Sequence, residues 1–150
     1  MTTSPPTKPP AVPGGLLAAP VPPTILQGYL YWCDPDPKIE DTVGSEQAGD
    51  RIWVIMSIPR CHRGKCVVAL PLSRHTNKAG AHLIMVPKPE ITMEDGNPPI
   101  DRVALVDQIR ALDKTRLGKK AGFVSMRGIS AIKLGLDYLF GNAPLPPQSN

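Results

Sequence analysis

The sequence is short of cysteine, has no long apolar run, and carries no nucleotide-binding fingerprint. Each shortage closes off a class of protein. The three cysteines, Cys33, Cys61 and Cys66, are an odd number. Without a secretory signal before them they argue against a disulfide framework. Lys8 is the one basic residue ahead of the short apolar stretch Leu16-Leu17-Ala18-Ala19, and prolines interrupt that stretch on both sides, so it does not read as a convincing secretory signal. No segment is long and apolar enough to span a bilayer. A cytoplasmic protein without membrane association is expected. Cys61-His62 and Cys66 supply a Cys-x4-Cys spacing, with Cys33 and His75 elsewhere, but a second pair of ligands is missing. No metal site is therefore expected, and the cysteines read as reduced and mostly buried. Gly-x-Ser-x-Gly, the phosphate-binding P-loop and the dinucleotide fingerprint are all absent. No cofactor is expected.

What the sequence has in excess is proline and unevenly placed charge. Of 19 prolines, eight fall within residues 5–23 and three within 144–147. Proline gives no amide to a ladder, so residues 1–25 and 142–150 read as disordered tails around one domain at 26–141. Residues 34–50 hold six acids and one base. Residues 51–78 hold six bases and no acid, and residues 101–133 hold eight bases against three acids. Two basic blocks suit an anionic partner such as nucleic acid, or simply a solvated basic surface.

Periodicity predicts a mainly β chain. Residues 25–33 read as a first strand, with Tyr29, Tyr31 and Cys33 on one face and Leu30 and Trp32 on the other. Asp34-Pro35-Asp36-Pro37 ends it. Strands follow at 52–58 and 66–72, joined by a hairpin loop at 59–65. Another strand is expected at 82–86, stopped by Pro87 and Pro89. Residues 102–110 fit either a helical stripe or alternation; Val103-Ala104-Leu105-Val106 favours a strand. Residues 116–120 read as a basic turn. Ser125 offers an N-cap for a helix over 126–140, with Ile129, Ile132, Leu136 and Leu139 at helical spacing. Met126 and Phe140 are expected in the core. Gly128 and Gly135 each weaken that helix by about 1 kcal/mol, so packing must hold it. The fold class is thus α+β, mainly β: a small, partly open β-barrel with a C-terminal helix.

The chemistry centres on Val43-Gly44-Ser45-Glu46-Gln47-Ala48-Gly49-Asp50-Arg51, which runs directly into the apolar strand that begins Ile52-Trp53-Val54. Gly44 and Gly49 permit the positive φ and close approach of a recognition loop. Arg51 offers a rigid fork of donors suited to phosphate. Taken alone, the stretch reads as an ordinary turn closed by a surface arginine. Ser73 stands where another strand ends. Beside Arg51 its hydroxyl would complete a site for a phosphate; alone it is a turn-forming serine. His62 and His75 lie in loops among basic residues, as surface histidines or as titrating participants.

Three motifs in order resemble the PemK/MazF family of toxin endoribonucleases. The 43–51 loop before its strand is similar to the family's signature loop. Pro71-Leu72-Ser73 resembles the strand-end Pro-Leu-Thr. Asp107-Gln108-Ile109-Arg110-Ala111-Leu112-Asp113-Lys114-Thr115-Arg116-Leu117 resembles the long C-terminal motif. The resemblance implies an SH3-like barrel, a homodimer, and cleavage of single-stranded RNA without metal, held silent by a cognate antitoxin protein. It implies Arg51 and Ser73 as catalytic residues, and Glu46, Gln47, Asp107, Gln108 and His75 as RNA-binding residues. The chain departs from the family where Ile52 follows Arg51 in place of proline, and where Ser73 replaces threonine. The rival reading is a non-catalytic or gyrase-targeting binding protein on the same barrel.

Overall fold

The structure is a computed structural model that describes residues 24–33, 51–76, 80 and 83–142. Residues 1–23 and 143–150 of the expected tails, and the acidic loop with Glu46 and Gln47, lie outside the described residues. Eight strands and one α-helix are present among those described: β1 Tyr29–Cys33, β2 Arg51–Ile55, β3 Cys66–Ser73, β4 Leu83–Val86, β5 Ile91–Met93, β6 Arg102–Leu105, β7 Arg110–Asp113, β8 Leu117–Val124 and α1 Met126–Leu139. All pairs are antiparallel. The order is β4-β6-β3-β2-β1-β8-β5, with β7 also on β3. The sheet does not close on itself, as expected for a partly open, mainly β fold. No helix among the described residues is long and apolar enough to cross a membrane.

Alternation along β1 divides the core as its sequence predicts. Leu30, with Trp32 against it, joins Ile52, Val54, Leu70 and Leu72 in the larger apolar cluster. Tyr31 and Cys33, with Tyr29 against them, join Trp53, Ile55, Val67 and Ala69 on the opposite face. Both faces of β2 are therefore buried, which is why its sequence is continuously apolar.

Strand β3 has to serve two neighbours on one side. Cys66 to Ala69 pair with β7, whereas Leu72 and Ser73 pair with β6. Pro71 falls between the two sets, where its missing N–H interrupts neither ladder. A 3-10 turn, Val106–Gln108, carries the chain from β6 to β7 past this point.

Helix α1 begins as predicted. Ser125 Oγ accepts from Gly128 N at 3.1 Å and donates to Glu90 Oε1 at 2.5 Å. Such a cap contributes about 1 kcal/mol. The two helix glycines have a packing reason. A Cβ on Gly135 would lie 2.4 Å from Ile84 Cγ1, and one on Gly128 would lie 2.4 Å from Val124 Cγ1. Their absence lets the helix settle onto the sheet and bury Ile129 and Ile132, each worth about 1.5–3 kcal/mol.

Four expectations need correction. Met126 and Phe140 are 77% and 65% exposed rather than core. They sit at the two ends of the helix, beyond its buried stretch at Gly128, Ile129, Ile132 and Gly135. Residues 117–120 are not a turn but the start of β8, where Lys120 lies over the Tyr29 ring and pairs with Glu94 at 3.0 Å. Cys61 and Cys66 are exposed and only Cys33 is buried; none of the three is in a disulfide. Residues 102–110 are not one strand, because the 3-10 turn splits them.

Candidate functional site

Strand pairing brings Arg51 and Ser73 together. Trp53 pairs with Pro71 and Val54 with Leu70. Carried two residues further, that register sets Arg51, the first residue of β2, across from Ser73, the last of β3. Ser73 is the buried polar residue of the core, 2% exposed. Its Oγ accepts from His75 N at 3.1 Å, which folds the chain back after β3 and leaves the hydroxyl proton available to donate. His75 itself is exposed beside this bond.

Next to the pair is a pocket of about 110 Å³ lined by Trp32, Arg51, Ile52, Leu72, Arg74 and Arg102. The sheet explains its composition. Trp32 pairs with Ile52, and Leu72 pairs with Ala104. One residue beyond Ser73↔Val103, the β3–β6 register sets Arg74 against Arg102. Three arginines from three strand ends therefore surround one small space. The Nε of Arg51 and the Nε of Arg102 are both buried without a hydrogen-bond partner among the described residues. Burial, followed by the nearby Arg74 guanidinium, pushes Arg102 below the ordinary arginine value, with Asp95 acting in the opposite sense. That carboxylate is already engaged. Trp32 Nε1 donates to Asp95 Oδ2 at 2.8 Å, and Asn97 donates to both of its oxygens at 3.0 Å. Desolvation is the largest single influence and acts upward, but the bonds from Trp32 and Asn97 together outweigh it and hold Asp95 below the usual carboxylate value.

The other expected site residues sit further along. Asp107 is exposed and Gln108 half-buried on the 3-10 turn. The turn passes alongside Leu70 and Pro71, roughly 10 Å from Ser73 at ~3.3 Å per residue along β3. His62 belongs to a different place. It bonds Ser57 Oγ at 2.6 Å and the Ile25 carbonyl at 3.1 Å at the β2–β3 hairpin. No group of three or more His, Cys, Asp or Glu that could hold a metal occurs among the described residues.

Sequence reasoning missed Arg74 and Arg102. Arg74 was legible in principle, since it follows Ser73 directly in a block without acids. Arg102 was not, because its placement depends on β6 pairing with β3.

Fold and pocket together define a small, open, mainly β protein with an arginine-lined pocket at one end of its sheet. More particularly, the chain belongs to the family of PemK-like, MazF-like toxins of type II toxin–antitoxin systems, which it matches over residues 26–140. Among solved structures it is similar to MazF from Deinococcus radiodurans, at 20% identity and a TM-score of 0.62, covering 80% of this chain and 99% of that one. It is similar to an endoribonuclease from mycobacterial species, at 22% identity and a TM-score of 0.56, covering 83% and 97%. It is also similar to a mycobacterial endoribonuclease in complex with its cognate antitoxin, at 25% identity and a TM-score of 0.55, covering 81% and 99%. No curated protein sequence matches the chain.

Proposed function

We propose that this chain is an endoribonuclease toxin that cuts single-stranded RNA without a metal ion. One observation carries the reading: Arg51, whose buried Nε has no hydrogen-bond partner among the described residues, lines an arginine-rich pocket, and the β2–β3 register carried onward sets it opposite Ser73. Family membership and the endoribonucleases of similar fold support it.

The reaction that suits these groups is internal transesterification. The ribose 2′-oxygen attacks the adjacent phosphorus, and the new O2′–P bond forms as the P–O5′ bond breaks. The products are a 2′,3′-cyclic phosphate and a 5′-hydroxyl. A nucleophile within the substrate needs no metal-activated water. It needs alignment, a proton path and stabilisation of the pentavalent phosphorane. Arg51 supplies positive charge and paired donors to the phosphorane oxygens, and a proton to the departing O5′. Ser73 donates its hydroxyl beside the scissile phosphate. Glu46, at the centre of the signature loop, is the candidate acceptor for the 2′ proton. Glu46, Gln47, Asp107, Gln108 and His75 are proposed to contact unpaired bases. Dependence on the 2′-OH makes RNA the substrate and DNA a bystander. A cognate antitoxin protein and a second copy of this chain are the proposed partners, and the cytoplasm is the proposed location.

The test is incubation of purified protein with single-stranded RNA in EDTA, followed by end analysis. Cyclic-phosphate and 5′-hydroxyl ends are expected. Intact RNA with the wild type, or equal cutting by Arg51→Ala, overturns the mechanism. Intact RNA with accumulating DNA breaks in expressing cells would favour the gyrase-targeting rival.

A further inference from the structure

Arg74 and Arg102 have no part in the reaction just described, yet they are two of the three cations around the pocket. Arg74 directly follows β3, and Arg102 begins β6 on the other side of β3 from Arg51. The pocket's volume of about 110 Å³ is several times the ~10–15 Å³ that one water requires, so it has room for a tetrahedral anion. Like charges do not gather in a half-buried space without a counter-charge. Among the described residues, the carboxylate acting on Arg102 is Asp95, and its oxygens are held by Trp32 and Asn97. Arg102 keeps a buried Nε with no hydrogen-bond partner among the described residues. A planar guanidinium in this condition is suited to a bidentate phosphate contact. Arg51 enters the same space from β2, so a phosphate held at Arg51 lies in the same pocket as Arg74 and Arg102.

We propose that Arg74 and Arg102 form a second phosphate subsite, which grips a backbone phosphate of the RNA next to the one that is cut. This rests on the reading of the chain as an RNA-cutting enzyme. The subsite contributes affinity and aligns the strand, and it takes no part in bond making or breaking. Because a phosphate carries no base identity, its contribution is the same for every sequence.

The probe is a single-stranded, fully 2′-O-methylated oligonucleotide of mixed sequence, which has no free 2′-hydroxyl to attack. Binding is measured across a salt series for the wild type, Arg74→Gln, Arg102→Gln and Arg102→Lys, with melting temperatures recorded for each. Each glutamine variant is expected to bind roughly tenfold more weakly. Each should also lower the slope of log affinity against log salt by about 0.7. Arg102→Lys should keep the slope and lose only part of the affinity, because a point charge replaces the fork. With cleavable RNA, the glutamine variants should raise KM roughly tenfold with kcat little changed. Arg74 is exposed, so its variant decides the matter if Arg102→Gln does not fold. Wild-type affinity and slope in the variants overturn the subsite, as does a loss of kcat with affinity unchanged, or a wild type that does not bind the oligonucleotide. A wild type that binds but does not cut defeats the cleavage reading alone, and the binding series still decides the subsite.

Discussion

Cations cluster at both ends of the β2–β3 ladder, and the two ends are built for different purposes. At the hairpin tip Arg60, Arg63 and Lys65 are all exposed. The polar groups beneath them are satisfied internally. Ser57 Oγ takes Val68 N at 2.9 Å and meets His62 at 2.6 Å, and Lys65 O accepts from Lys114 N at 2.7 Å. Lys114 Nζ bonds the His62 carbonyl. At the open end Arg51 and Arg102 are half-buried around a pocket, with donors left unbonded among the described residues. Equal charge therefore does not mean equal capacity to bind. Water screens the exposed tip, whereas partial burial strengthens whatever anion reaches the open end.

The largest expected effect that would sharpen this contrast is Arg51→Ala. It should lower kcat for RNA cleavage by about 10³-fold, the upper range for removing one charge-stabilising donor. Single-turnover kinetics at saturating enzyme check it, and a loss below tenfold would break the assignment of chemistry to this end. Ser73→Ala should lower kcat by about 10²-fold, and Ser73→Thr should restore most of it. At the tip, His62→Ala should cost about 1–2 kcal/mol of stability through its two lost hydrogen bonds. Denaturant melts read that loss, and cleavage by the folded variant should stay at the wild-type rate. The smallest effect belongs to joint neutralisation of Arg60, Arg63 and Lys65. If the tip is only solvated surface, oligonucleotide binding should change less than about twofold, with an unaltered salt slope. A slope that falls by about 0.7 per residue would erase the distinction between the two ends.

Much of the fold was legible because its signals are local. The two faces of β1, the cores of β2 and β3, the hairpin between them and the Ser125 cap all follow from alternation, turn residues and helix-start chemistry. Strand β5 is three residues long and flanked by a 3-10 turn, too short for a period to show. The start of β8 was hidden by its lysines, which mimic a loop; Lys119 is exposed and Lys120 is half-buried over the Tyr29 ring. Part of the candidate site was equally local, since Arg51 and Ser73 both mark strand ends. That they share a rung was implied by the hairpin. That Arg102 joins them depends on two strands separated by the whole 74–101 connection, and no window of sequence carries that information.

Strand β3 changes partners at Pro71, and this divides the strand in a way that bears on motion. A proline has no amide hydrogen, so a break in the protection pattern falls where the ladder passes from β7 to β6. On this side of β3, residues 66–69 are paired with β7, while Leu72 and Ser73 are paired with β6. Local unfolding proceeds in cooperative units. Loss of the β7 pairing at the tip therefore leaves the β6 pairing of Ser73 in place, with β2 still joining the two halves through Ala69, Leu70 and Pro71.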